Sequence, residues 1–115
     1  MKRLKDWVLG TIEERQILTR CREVVQKLAP GAEVILFGSR ARGDAEPDSD
    51  YDILVLVDQP LSRELENNIH HALYLIELET DTVLCVLAYE RRKWLSPKYE
   101  VTPLFQNVER EGVLI

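Results

Sequence analysis

Between two apolar runs, Val34-Ile35-Leu36-Phe37 and Ile53-Leu54-Val55-Leu56-Val57, the chain reads Gly38-Ser39-Arg40-Ala41-Arg42-Gly43-Asp44-Ala45-Glu46-Pro47-Asp48-Ser49-Asp50-Tyr51-Asp52. Each run is too short for a helix and apolar without alternation, which predicts strands covered on both faces. The stretch between them, with its glycine, proline and acidic residues, is a loop joining two buried strands. Gly38 ends the first strand where a side chain would obstruct close backbone approach, and Ser39 can start a short helix whose free N–H groups and hydroxyl face an anion. Asp50 and Asp52 stand at the mouth of the second strand, where alternation sends both carboxylates to one face. Paired carboxylates beside a phosphate site suit magnesium, which takes a few carboxylates together with water and phosphate oxygens.

Other readings fit this loop less well. A helix cap with solvated turn residues accounts for any one of Ser39, Asp44, Asp48, Asp50 and Asp52, but not for two same-face carboxylates beside an anion site. The alternating acids Asp48, Asp50 and Asp52 match the start of an EF-hand, yet Ile53 stands where its turn glycine belongs and Gln59 where its bidentate glutamate belongs. Nor does a Gly-Lys-Ser/Thr follow, as a P-loop requires. Cys21 and Cys85 form no Cys-x-x-Cys pair and have no histidine at zinc-ligand spacing, so both are expected to be reduced core residues. His70 and His71, adjacent on a helix, point about 100° apart and cannot chelate one ion together.

Working outward, Ile17, Cys21, Val24, Val25 and Leu28 form one helical stripe that should stop at Ala29-Pro30-Gly31. After Asp58-Gln59-Pro60, a second helix follows from Ser62 as N-cap, with Leu65, Ile69, Ala72, Leu73 and Ile76 at helical spacing. A third strand is expected over residues 82–88. Residues 89–115 are harder to read: Glu90 to Trp94 can make a helical turn, and Pro97 and Pro103 break whatever surrounds them. The order helix, strand, loop, strand, helix, strand predicts an α/β (α+β) fold, a small mixed β-sheet packed by helices.

Length and composition set the boundaries. The 115 residues fit a single domain over 1–115, with a core at about 10–90 and a C-terminal extension at 91–115. Hydrophobic residues at 45% and charged residues at 30% are those of a globular protein. With a net charge of -5 the surface offers no broad footprint for DNA or RNA, so general nucleic-acid binding is not expected. No apolar run approaches the roughly 20 residues of a membrane span, and the start of the chain lacks a signal-peptide core; a cytoplasmic location is the expectation.

Gly38-Ser39, ten intervening residues and Asp50-Tyr51-Asp52 before an apolar strand resemble the signature of the minimal nucleotidyltransferases, relatives of the DNA polymerase β and kanamycin nucleotidyltransferase superfamily. The Gly-Ser-Arg-Ala-Arg-Gly opening at 38–43 and Pro47-Asp48-Ser49-Asp50 are similar to those of short prokaryotic members. The resemblance implies a nucleotidyltransferase-like fold and transfer of a nucleoside monophosphate from a nucleoside triphosphate, ATP being expected, to a hydroxyl acceptor. It makes Gly38 and Ser39 contacts of the β- and γ-phosphates, and Asp50 and Asp52 catalytic residues that hold Mg2+, two ions when nucleotide is bound. Arg40 and Arg42 lie in the same loop, where either can pair with triphosphate oxygens or stay solvated.

Active members of that family generally carry a third carboxylate on the later strand. Its place here falls near Cys85, and a thiol does not replace a carboxylate as a hard magnesium ligand. Asp81 is the better substitute than Glu79, since it shares the Cys85 face under strict alternation, though roughly 13 Å away along a strand rising about 3.3 Å per residue. The alternative to an enzyme is therefore a degenerate, antitoxin-like module that binds nucleotide or a protein. The resemblance also implies a partner, a helical protein of the HEPN type in a toxin–antitoxin pair, with self-association as a homodimer the competing way to complete the acceptor side.

Overall fold

A computed structural model describes residues 1–115. A two-residue strand β1 (Lys2–Arg3) and a 3-10 turn lead to helix α1 (Ile12–Leu28), strand β2 (Glu33–Phe37), the short helix α2 (Gly38–Arg42) and strand β3 (Tyr51–Val57). Helix α3 (Arg63–Thr80), strand β4 (Leu84–Glu90), three further helices α4 (Arg91–Trp94), α5 (Pro97–Glu100) and α6 (Pro103–Glu111), and strand β5 (Val113–Leu114) complete the chain.

Local chemistry sets the long helices. Thr11 caps α1 in a reciprocal box, its hydroxyl accepting the Glu14 N–H at 3.1 Å while Glu14 Oε1 accepts the Thr11 N–H at 2.9 Å. Ser62 caps α3 by accepting the Leu65 N–H. On α3, Ile69, Leu73 and Ile76 are buried as helical spacing predicts; of the α1 stripe, Cys21 and Val25 are buried, Ile17 and Val24 half-buried and Leu28 exposed, while the buried Leu18 lies outside the expected stripe.

The sheet is mixed, in the order β1-β5-β2-β3-β4. β2 and β3 are antiparallel and β3 and β4 parallel, the latter pair joined across one face by α3, as a parallel connection requires. Alternation divides the strand residues between two cores. Val34, Leu36, Ile53, Val55 and Val57 meet α1 and α3, while Ile35, Leu54 and Leu56 meet Trp94 and Val108 from the C-terminal helices. Continuous apolar runs are thus explained by a sheet covered on both sides.

Three sequence expectations need correction. The third strand runs Leu84–Glu90, not 82–88. Asp81 is not on a strand at all: it terminates α3 in the left-handed region with φ 54°, so the alternation argument that linked it to Cys85 does not apply. Cys85, expected in the core, is exposed, whereas Cys21 is buried.

Candidate active site

The antiparallel pairing of β2 with β3 ends at Phe37 opposite Asp52, so the loop between them starts and finishes at one place on the sheet edge. That pairing brings Gly38 beside Asp52 although thirteen residues separate them in sequence. Gly38 adopts φ 78°, and a β-carbon built on it would fall 2.1 Å from Asp52 Oδ2. Only glycine permits both the conformation and the approach. Gly43 closes the short α2 in the left-handed region, its N–H donating to Ser39 O at 2.9 Å, and Trp7 supports the turn from below by donating to Ala41 O at 3.2 Å.

Asp52 shares its sheet face with Leu54 and Leu56, at the open end of the second core. Asp50 immediately precedes β3 and is exposed. Partial burial raises the Asp52 pKa, and the neighbouring negative charge of Asp50 adds to the rise; Arg42 opposes it and Glu111 reinforces it. Two carboxylates whose fields reach one another at an open strand end form a hard oxygen pair suited to a divalent cation. No group of three or more His, Cys, Asp or Glu side chains is arranged to hold a metal anywhere in the structure.

The family model described as nucleotidyltransferase domain matches residues 18–106. The chain belongs to this nucleotidyltransferase family, of the DNA polymerase β-like superfamily. The match contains the whole loop from Gly38 to Asp52, and the mixed sheet packed by helices agrees with the nucleotidyltransferase fold. No curated protein matches the chain. Family membership gives nucleotidyl transfer as the general function and a nucleoside triphosphate as the substrate class; nucleotidyltransferase domains generally use magnesium.

Within this nucleotidyltransferase frame, the register of β3 with β4 sets Cys85 directly beside Asp52. Partial desolvation of the exposed Cys85 raises its pKa, and the charges of Asp52 and Asp50 add to the rise, so the thiol stays protonated at neutral pH. Asp81 lies elsewhere, in a cleft with Glu14, Arg40 and Tyr51. Tyr51 and Asp52 are consecutive strand residues and point to opposite faces.

The two loop arginines part company. Arg40 is turned to the Tyr51 side, its guanidinium 4.5 Å from that ring and donating to Ser49 O and Pro47 O, with an ion pair to Glu14. Glu14 also accepts the Tyr51 hydroxyl, and burial with the Glu14 charge pushes the Tyr51 pKa up to about 12. Arg42 stays on the Asp52 side, 46% exposed, paired with Asp44 at 3.1 Å and Glu111 at 2.9 Å.

Glu111 went unnoticed in the sequence. Its side chain is 7% exposed and its Oε1 accepts the Gly38 N–H at 3.0 Å. The contact spans 73 residues, and no local pattern marks it.

Proposed function

We propose that this protein is a magnesium-dependent nucleotidyltransferase that holds the β- and γ-phosphates of ATP or a related triphosphate at Gly38, Ser39 and Arg42. The observation that carries the reading is the contact of Asp52 with the α-carbon of Gly38. No side chain separates the carboxylate pair from the phosphate loop, so one triphosphate can reach both. Arg42 supplies the cationic contact, because the Arg40 guanidinium is held by loop carbonyls on the opposite face.

Asp50 and Asp52 hold the cation and orient the α-phosphate toward an acceptor hydroxyl. Magnesium bound there would neutralise charge on the phosphates and favour the ionised acceptor oxygen. The acceptor oxygen bonds to the α-phosphorus, the α–β bridging P–O bond breaks, pyrophosphate leaves, and the acceptor proton passes to solvent. Cys85, kept protonated, takes no part as a base.

A second chain completes the acceptor side. Tyr74, Leu75 and Leu78 on α3 are exposed and offer apolar surface to a HEPN-type helical partner or a second copy. A cytoplasmic setting, where triphosphates and magnesium are at hand, fits the chemistry. Cys85 beside Asp52 favours a second reading, a nucleotide-binding, antitoxin-like module that transfers slowly or not at all.

The deciding experiment incubates the protein with magnesium and each α-labelled triphosphate, with and without hydroxyl acceptors or a co-purifying protein. Label on an acceptor, lost in Asp50→Asn and Asp52→Asn, supports the enzyme. Magnesium-dependent binding without transfer supports the second reading, and neither binding nor transfer overturns both.

A further inference from the structure

Glu111 ends α6, beyond the residues that match the family. Its two carboxylate oxygens are both engaged: Oε1 by the Gly38 N–H at 3.0 Å, Oε2 by Arg42 Nη1 at 2.9 Å. These are two of the donors that the proposed function gives to the triphosphate. A carboxylate presents to such donors what a pair of non-bridging phosphate oxygens would, a planar anionic edge accepting charge-assisted hydrogen bonds. The backbone around Glu111 is fixed from both sides. Val108 is fully buried in the second core, and Val113 is paired with Leu36 in the sheet.

The strand order shows on which side of the site Glu111 stands. Gly38 follows β2, which flanks β3 on one side, whereas Cys85 lies on β4, which flanks it on the other. Glu111 therefore belongs to the phosphate side of Asp52. It is not positioned to replace the carboxylate that Cys85 displaces.

Resting on the triphosphate reading, we infer that Glu111 is a built-in competitor for the phosphate loop, which the incoming triphosphate must displace from Gly38 and Arg42. A polyphosphate with its cation carries more charge than one carboxylate and so can win both donors, while the side chain of Glu111 swings away and α6 stays in place. Until that exchange occurs, Glu111 satisfies the Gly38 N–H and holds Arg42 beside the site, at the cost of weaker nucleotide binding.

The test is calorimetric titration of the full chain with magnesium and ATP for wild type, Glu111→Gln and Glu111→Ala, with melting curves for all three. Glu111→Gln keeps the shape and an oxygen for the Gly38 N–H but removes the charge that competes for Arg42, so the triphosphate Kd should fall several-fold. Glu111→Ala frees both donors and should lower Kd by about tenfold, the size of one charge-assisted contact. If wild type binds and Glu111→Gln, folded by its melting curve, binds no tighter, the competition is overturned while the nucleotidyltransferase reading stands. Weaker binding by Glu111→Gln overturns it too, and makes Glu111 a strut that shapes the loop. Absence of triphosphate binding in all three proteins overturns the nucleotide reading and this inference together.

Discussion

Asp52 and Gly38 are in direct contact, the carboxylate of one resting where the side chain of the other would be. Gly38→Ala must therefore move Asp52 and also hold alanine at φ 78°, a left-handed conformation that costs about 1–2 kcal/mol. The expected outcome is a lower melting temperature together with loss of magnesium-dependent triphosphate binding. Retained binding with a normal melting curve would show that the loop does not need this contact.

Asp52→Asn should reduce transfer a hundred-fold or more, because the cation loses a hard ligand. Stability should respond in the opposite sense. The fold raises the Asp52 pKa above 3.8, so its contribution to stability is fully present below that value and is lost as pH rises through the raised one. Metal-free Asp52→Asn is thus expected to melt above wild type at pH 7, by under about 1 kcal/mol because solvent screens this partly exposed site, and to lose that advantage at pH 3. Melting curves at both pH values in chelator check the sign.

Cys85→Asp tests whether the position beside Asp52 limits the reaction. A third carboxylate there, in register with Asp52, should raise the transfer rate by tenfold or more, equivalent to about 1.4 kcal/mol. The same substitution should lower metal-free stability at neutral pH by crowding like charges. Asp81→Ala, on the other side of the strand, is expected to leave transfer unchanged and to cost about 1 kcal/mol through its positive φ. A rate that falls with Asp81→Ala would return the third-acid role to that residue.

Arg40→Ala removes the contact with the Tyr51 ring, the hydrogen bonds to Pro47 and Ser49, and the ion pair with Glu14. We expect a loss of about 2 kcal/mol in urea denaturation and faster proteolysis within residues 44–50. Triphosphate affinity should fall less than in Arg42→Ala. The reverse ranking would place Arg40, not Arg42, on the phosphates.

What the sequence made legible follows the range of the interactions. Val34–Phe37 and Ile53–Val57 announce buried strands through composition alone, and the stripes through Ile17, Cys21 and Val25 and through Ile69, Leu73 and Ile76 announce helices. The loop chemistry was legible because Gly38, Asp50 and Asp52 are near in sequence. Asp81 was misread since α3 extends to Thr80, and nothing in Glu79-Thr80-Asp81-Thr82 separates a helix end from a strand start. β5 has two residues, too few for any period to register, and Glu111 gains its meaning from Gly38 and Arg42, which only folding brings near.

The place of β5 in the sheet has a consequence for the order in which the molecule is assembled. β1, at the start of the chain, pairs only with β5, and Ile115 donates its N–H to Val34. Lys2 and Arg3 thus wait, during synthesis, for residues 113–115 to be made before they have a strand to join. β2 keeps an open edge for the same interval, a bare ladder available to other chains. Ribosome-bound chains halted before Val113 should be cut by protease in residues 1–10 and prone to associate, and release of the last residues should end both behaviours at once.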